Sequence, residues 1–225
     1  MLYHCKLNLP TPISKITFYR LLENKRNNIE GHYLTDTVQP GGYLHLSTNQ
    51  EILHSDLLKI FKNLKLTPNA IITYGSVDRI NYLDSKLDHT IHSDIVYHDD
   101  TWKKQPFAIN WETTDTQTDF HWWDVGDTLE CYPPADEPVR LQDPKWLYTR
   151  GIHYNNRNSF DILPHYKVIE NCVITKAYPV AVNTSVPHSV IRKINNQPRC
   201  GVSIRFPLDQ IPTWTHGLKL FNEYI

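Results

Sequence analysis

Three positions far apart in the chain have the residue types and local spacing of a metal site. His92 and Asp94 are separated by one residue in His89-Thr90-Ile91-His92-Ser93-Asp94. On an extended strand, side chains two apart share a face with Cα atoms ~6.7 Å apart, so the pair forms a two-ligand platform. A third donor, His188, ends the apolar, β-branched run Val180-Ala181-Val182-Asn183-Thr184-Ser185-Val186-Pro187-His188, where Pro187 fixes a turn suited to a ligand at a strand end. Two imidazoles and one carboxylate make a facial triad for a divalent transition metal and leave three coordination positions open. His89, His98, Asp99 and Asp100 lie nearby in sequence, but lack the same-face spacing combined with a downstream histidine, and read as loop residues.

A further element follows His188. In Pro198-Arg199-Cys200-Gly201-Val202-Ser203-Ile204-Arg205-Phe206, alternation places Arg199, Gly201, Ser203 and Arg205 on one face and Cys200, Val202, Ile204 and Phe206 on the other. A strand with arginines on one side and apolar groups on the other calls for an anion. The order His-x-Asp, distal His, then Arg resembles the 2-oxoglutarate/iron(II)-dependent oxygenases, prolyl hydroxylase-like and phage-type members included. The resemblance covers roughly residues 70–208 and is carried by "HSD" at His92–Asp94, "NTSVPHSV" from Asn183 and "PRCGVSIRF" from Pro198.

The resemblance implies a mainly β fold with flanking helices, a double-stranded β-helix (jelly roll, cupin-like). It implies Fe(II) held by His92, Asp94 and His188, with 2-oxoglutarate and O2 as co-substrates and succinate and CO2 released as a substrate is hydroxylated. Arg199 would hold the far carboxylate of 2-oxoglutarate in a two-pronged, charge-assisted pair. Arg205 faces the same way and would serve the co-substrate or the substrate, although spacing from the distal histidine favours Arg199. Ser203 would add a hydroxyl contact. Family members often supply a Tyr or Asn from the strand before His-x-Asp, which makes Tyr82 a candidate beside its alternative as a core tyrosine. An Asn-bearing strand after it makes Asn110 another. An aspartate at position 94, where halogenating members have a small residue, implies hydroxylation or a related oxidation.

Net charge of −1 and pI ≈ 6.9 offer no global field for a polyanion, which disfavours nucleic acid as a partner. The Arg199 and Arg205 pair still resembles the nucleic-acid demethylase branch. A small molecule, amino acid or peptide side chain is the expected substrate. A non-catalytic jelly-roll binding module, or a cupin-type isomerase or hydrolase, would use the same metal donors without needing the arginine strand. The four cysteines, Cys5, Cys131, Cys172 and Cys200, are scattered and imply no disulfide framework. With no apolar leader and no membrane-spanning run, a cytoplasmic protein is expected.

The elements positioning these residues come from periodicity within one expected domain of 225 residues. Residues 1–69 are expected to give support strands and a helix over Thr48–Leu64, with a Thr48/Glu51 capping box and a Leu53, Leu57, Ile60, Phe61, Leu64 stripe. Residues 70–111 and 166–208 read as the barrel core. The interval from Asp94 to His188 is long, so residues 112–165 are expected to loop out. That insert is either a lid presenting Trp122 and Trp123 to the substrate or a β-hairpin packing its aromatics on the barrel. The segment 207–225 carries no legible function.

Overall fold

The computed structural model describes residues 2–14, 17, 42–47, 50–76, 91–113, 117–130, 150–153, 165–192 and 200–225. Their strands, in chain order, are β1 (His4–Lys6), β2 (Gly42–Ser47), β3 (Ala70–Ser76), β4 (His92–His98), β5 (Thr101–Lys104), β6 (Ala108–Glu112), β7 (Thr118–Asp124), β8 (Arg150–His153), β9 (Lys167–Ile174), β10 (Val180–Val182), β11 (His188–Arg192) and β12 (Cys200–Arg205). The protein is mainly β, with two antiparallel sheets arranged as a sandwich. One sheet has the order β1-β10-β6-β12-β3-β2; the other runs β5-β4-β11-β7-β9, with β8 added on β4. The pairing is nested, with β3 against β12, β6 against β10 and β7 against β9. Strands β4 and β11 complete the series by pairing at His92 and His188.

Alternation along the strands builds three apolar layers. Ile109, Trp111, Val202, Ile204 and Phe206 leave the first sheet on its outer side and pack under the helices. Ala108, Val180 and Val182 point the other way and meet Phe120, Trp122, Cys172 and Ile174 of the second sheet, so the sandwich has its own interior. On the far side of the second sheet, Ile91, Ile95, Trp123, Val125 and Tyr166 form a third cluster. Residues 118–124, expected to belong to an insert, therefore lie in the middle of a sheet as β7. Its dense aromatics conceal an ordinary two-residue period: Phe120 and Trp122 face in, and Trp123 faces out.

The helix expected over Thr48–Leu64 is shorter and begins later. A 3-10 turn at Gln50–Ile52 precedes α1 (Ser55–Asn63), whose N-cap is His54, extended at φ −62°, ψ 138° and accepting from the Asp56 N–H. Thr48 lies outside the described residues. The apolar stripe is as expected, since Leu53, Leu57 and Phe61 are buried. Phe61 meets Phe206 edge-on at 5.2 Å, which ties the helix to β12. Asp99 and Asp100, both at positive φ (49° and 57°), form the two-residue β4–β5 hairpin turn, and so serve the chain reversal.

The C-terminal segment, silent in sequence, forms α2 (Trp214–Leu220), capped by the Thr213 hydroxyl accepting from the His216 N–H. Trp214 and Phe221 close the core over Phe107, which stacks on Phe221 at 5.6 Å. No helix among the described residues is long and apolar enough to cross a membrane. At Gly217, an added Cβ would lie 2.3 Å from Cδ2 of Phe107, a ring with no exposure. Gly217→Ala is therefore expected to cost about 1–3 kcal/mol of stability through overpacking, read as a lower denaturant midpoint with an unchanged slope.

Candidate metal centre

The centre forms where the two sheets meet at one end of the interior. His92 opens β4, and Asp94 follows on the same face of that strand. His188 opens β11 directly opposite His92, the position among the described residues at which these strands are in register. The His92 and His188 rings lie 4.4 Å apart at 53°. From Asp94 Oδ1 to Nε2 of His92 is 3.5 Å, and to Nε2 of His188 is 3.9 Å. One donor atom from each residue lies within 4.8 Å of the others. With metal–ligand bonds of about 2.1 Å, cis donors sit about 3 Å apart, so a modest closing motion would bring all three onto one ion.

The surroundings orient the donors. The Nδ1–H of His188 donates to the Val186 carbonyl at 2.9 Å, since a carbonyl can only accept; this leaves the Nε2 lone pair facing Asp94. Burial, and then the neighbouring His92, push the His188 pKa down from 6.5 to about 3, so the ring is neutral and ready to ligate. Phe120 stacks on it at 4.7 Å and 16°. Burial by itself would raise the Asp94 carboxyl, but the Arg205 guanidinium beside it more than offsets that and holds it below the usual range.

Arg205, expected to contact co-substrate or substrate, also has partners within the protein. Its Nη1 pairs with Asp94 Oδ2 at 2.6 Å and donates to the Thr184 hydroxyl at 3.1 Å. The Thr184 hydroxyl donates to the Gln105 carbonyl, and the Gln105 side-chain amide to the Phe206 carbonyl. Asp94 is held from both sides of its backbone, its N–H donating to Thr184 O and its carbonyl accepting from Gln105 N, each at 2.8 Å. Thr184 and Gln105 were missed in the sequence; only the position of Thr184 just before the distal histidine hinted at a role.

The other site residues divide. Ser203 and Asn110 are paired across β12 and β6, with the Ser203 hydroxyl donating to Asn110 Oδ1, and both face the interior on the same side as Arg205. Trp122 and Trp123 do not lie on an exposed lid surface. Trp122 is fully buried and donates to the Asn183 carbonyl at 2.8 Å, whereas Trp123, on the opposite face, donates to Ser189 Oγ at 2.9 Å. Arg199 and Tyr82 lie outside the described residues.

Two outcomes follow. Because His188 takes up its proton well below its unfolded value, its stabilising contribution is complete above pH 6.5 and is lost as pH falls towards 3. The metal-free protein should therefore lose up to about 1.4 kcal/mol per pH unit from this group between about pH 6 and 4, a slope absent in His188→Gln unfolding curves. Arg205→Met strands a buried carboxylate and should cost roughly 3–5 kcal/mol, part of which returns in the Arg205→Met/Asp94→Asn double variant when both are unfolded chemically. No protein-family model and no curated protein matches the chain in sequence.

Proposed function

We propose that the protein is a non-haem Fe(II)- and 2-oxoglutarate-dependent dioxygenase of double-stranded β-helix (jelly roll) fold, hydroxylating a small molecule, amino acid or peptide side chain. The observation that carries this reading is the convergence of His92, Asp94 and His188 from β4 and β11 onto one point, with no fourth protein donor among the described residues. The nested pairing of β3 with β12, β4 with β11, β6 with β10 and β7 with β9 supports the jelly-roll assignment.

The donor set suits a ferrous ion: two imidazoles, that of His188 neutral, and an ionised carboxylate on one side leave the other side for reactants. When bound, the ion would supply O2 activation alongside oxidative decarboxylation of the 2-oxo acid. The chain's own residues do the rest. Asp94, kept ionised by Arg205, is ready to bind without first losing a proton, and His188 is locked in the ligating tautomer by Val186. The Nε–H of Arg205 is buried and has no hydrogen-bond acceptor among the described residues, which supports an anionic ligand beside the metal donors. Arg199, favoured by its spacing from the distal histidine, would grip the far carboxylate of 2-oxoglutarate in this reading. Asn110 and Ser203 supply polar groups along the same interior face. The near-neutral net charge supports a small or peptidic substrate over a polyanion.

Anaerobic titration of metal-free protein with Fe(II) and then 2-oxoglutarate tests the assignment. A weak visible metal-to-ligand charge-transfer band should appear in the wild type and be lost in His188→Ala. A folded wild type that gives no band refutes the oxygenase reading and leaves a binding module or a different metal's site.

A further inference from the structure

A ladder of aromatic rings leads away from the metal donors towards the surface. Trp122 sits directly across from His188 on β7, and on its other flank directly across from Glu170 on β9. From the His188 ring, Phe120 lies at 4.7 Å; from Phe120, Trp122 lies at 4.7 Å; and from Trp122, Tyr3 lies at 6.0 Å. His4 covers Trp122 at 5.7 Å and 17°. Tyr3 is only half-buried, so the ladder ends in contact with solvent. The N-terminal strand carrying its last rung is fastened to the second sheet: Glu170 Oε1 accepts from the Tyr3 N–H at 2.8 Å and lies 2.7 Å from His4 Nδ1.

Burial pushes the Cys172 thiol up to about 12 and keeps it protonated, which leaves indole and phenol as the most easily oxidised side chains in this interior, and electron tunnelling weakens exponentially with distance. Rings this close therefore outcompete electron donors farther away. The Glu170 carboxylate, across the strand from a fully buried indole, favours positive charge on that indole in a low-dielectric setting. Phe120 is too hard to oxidise to hold the charge and serves only as the medium between His188 and Trp122.

We infer that Trp122 and Tyr3 form an electron-donating branch that discharges the centre when O2 and the 2-oxo acid react there without substrate. This rests on the oxygenase reading. One electron leaves the Trp122 indole and, with a proton from water, would remove one of the two oxidising equivalents that O2 and the 2-oxo acid leave at the centre; an ascorbate-class reductant in solution removes the other. Tyr3 then refills the indole with one electron and releases its phenolic proton to water, so that a neutral phenoxyl radical remains at Tyr3. A thiol or ascorbate-class reductant in solution returns a hydrogen atom to it. The benefit is that the oxidising equivalent leaves before it attacks His92, His188 or Asp94.

The test mixes O2 with anaerobic protein carrying Fe(II) and 2-oxoglutarate but no substrate, followed by freeze-quench electron paramagnetic resonance and peptide mass spectrometry. The wild type should give a tyrosyl-type signal. Tyr3→Phe, a mild change at a half-buried position, should convert it to a tryptophan-type signal, with one-oxygen mass gains moving to Trp122. Trp122→Phe should lose both signals and accumulate oxygen on the metal-binding histidines. The charge-transfer band before mixing reports whether each variant is folded and loaded. A band that reacts with O2 without any aromatic radical, or an unchanged radical in Trp122→Phe, overturns the branch alone. Failure of the wild type to form the band overturns the oxygenase reading and the branch with it.

Discussion

The ion pair between Asp94 and Arg205 is the constraint on which the site depends. It joins β4 of one sheet to β12 of the other, and both partners are nearly buried. Removing two charges from water is expensive and is compensated only by good geometry and further hydrogen bonds. Here those bonds come from Thr184 and the backbone around it, so the segment leading to His188 is fixed by the same charges that hold the carboxylate. Sheet spacing, ligand orientation and carboxylate ionisation are one problem with one solution.

The strand that carries Arg205 also shows how the helices reach the site. Ile204 and Phe206 are pinned in the outer core, against Phe61 of α1 and the C-terminal aromatics, while Ser203 and Arg205 face the interior. A two-residue period lets one short strand take its rigidity from one layer and spend it in another. The arginine can then be placed accurately despite its long side chain.

The grouping of His92, Asp94 and His188 was legible because both signals are local: a one-residue gap between His92 and Asp94, and a β-branched run ending at His188. The strands β6, β9 and β12 were legible for the same reason. What Arg205 binds was not, since its partner is more than a hundred positions away and depends on how the sheets stack. The indoles of Trp122 and Trp123 left two readings open because adjacent aromatics are typical of recognition loops as well as of strand interiors; only the pairing of β7 with β11 and β9 separates these. The start of α1 was misplaced because a capping-box pattern at Thr48 competes with His54, and α2 escaped notice because its seven residues include a glycine and too few apolar repeats.

The two histidines face each other as equals in register but not in exposure. His92 is 28% exposed and His188 only 3%. An ion entering from solvent would meet the more exposed His92 before the buried His188 and Asp94. The more exposed ligand would then form the entrance of the site and the buried pair its floor.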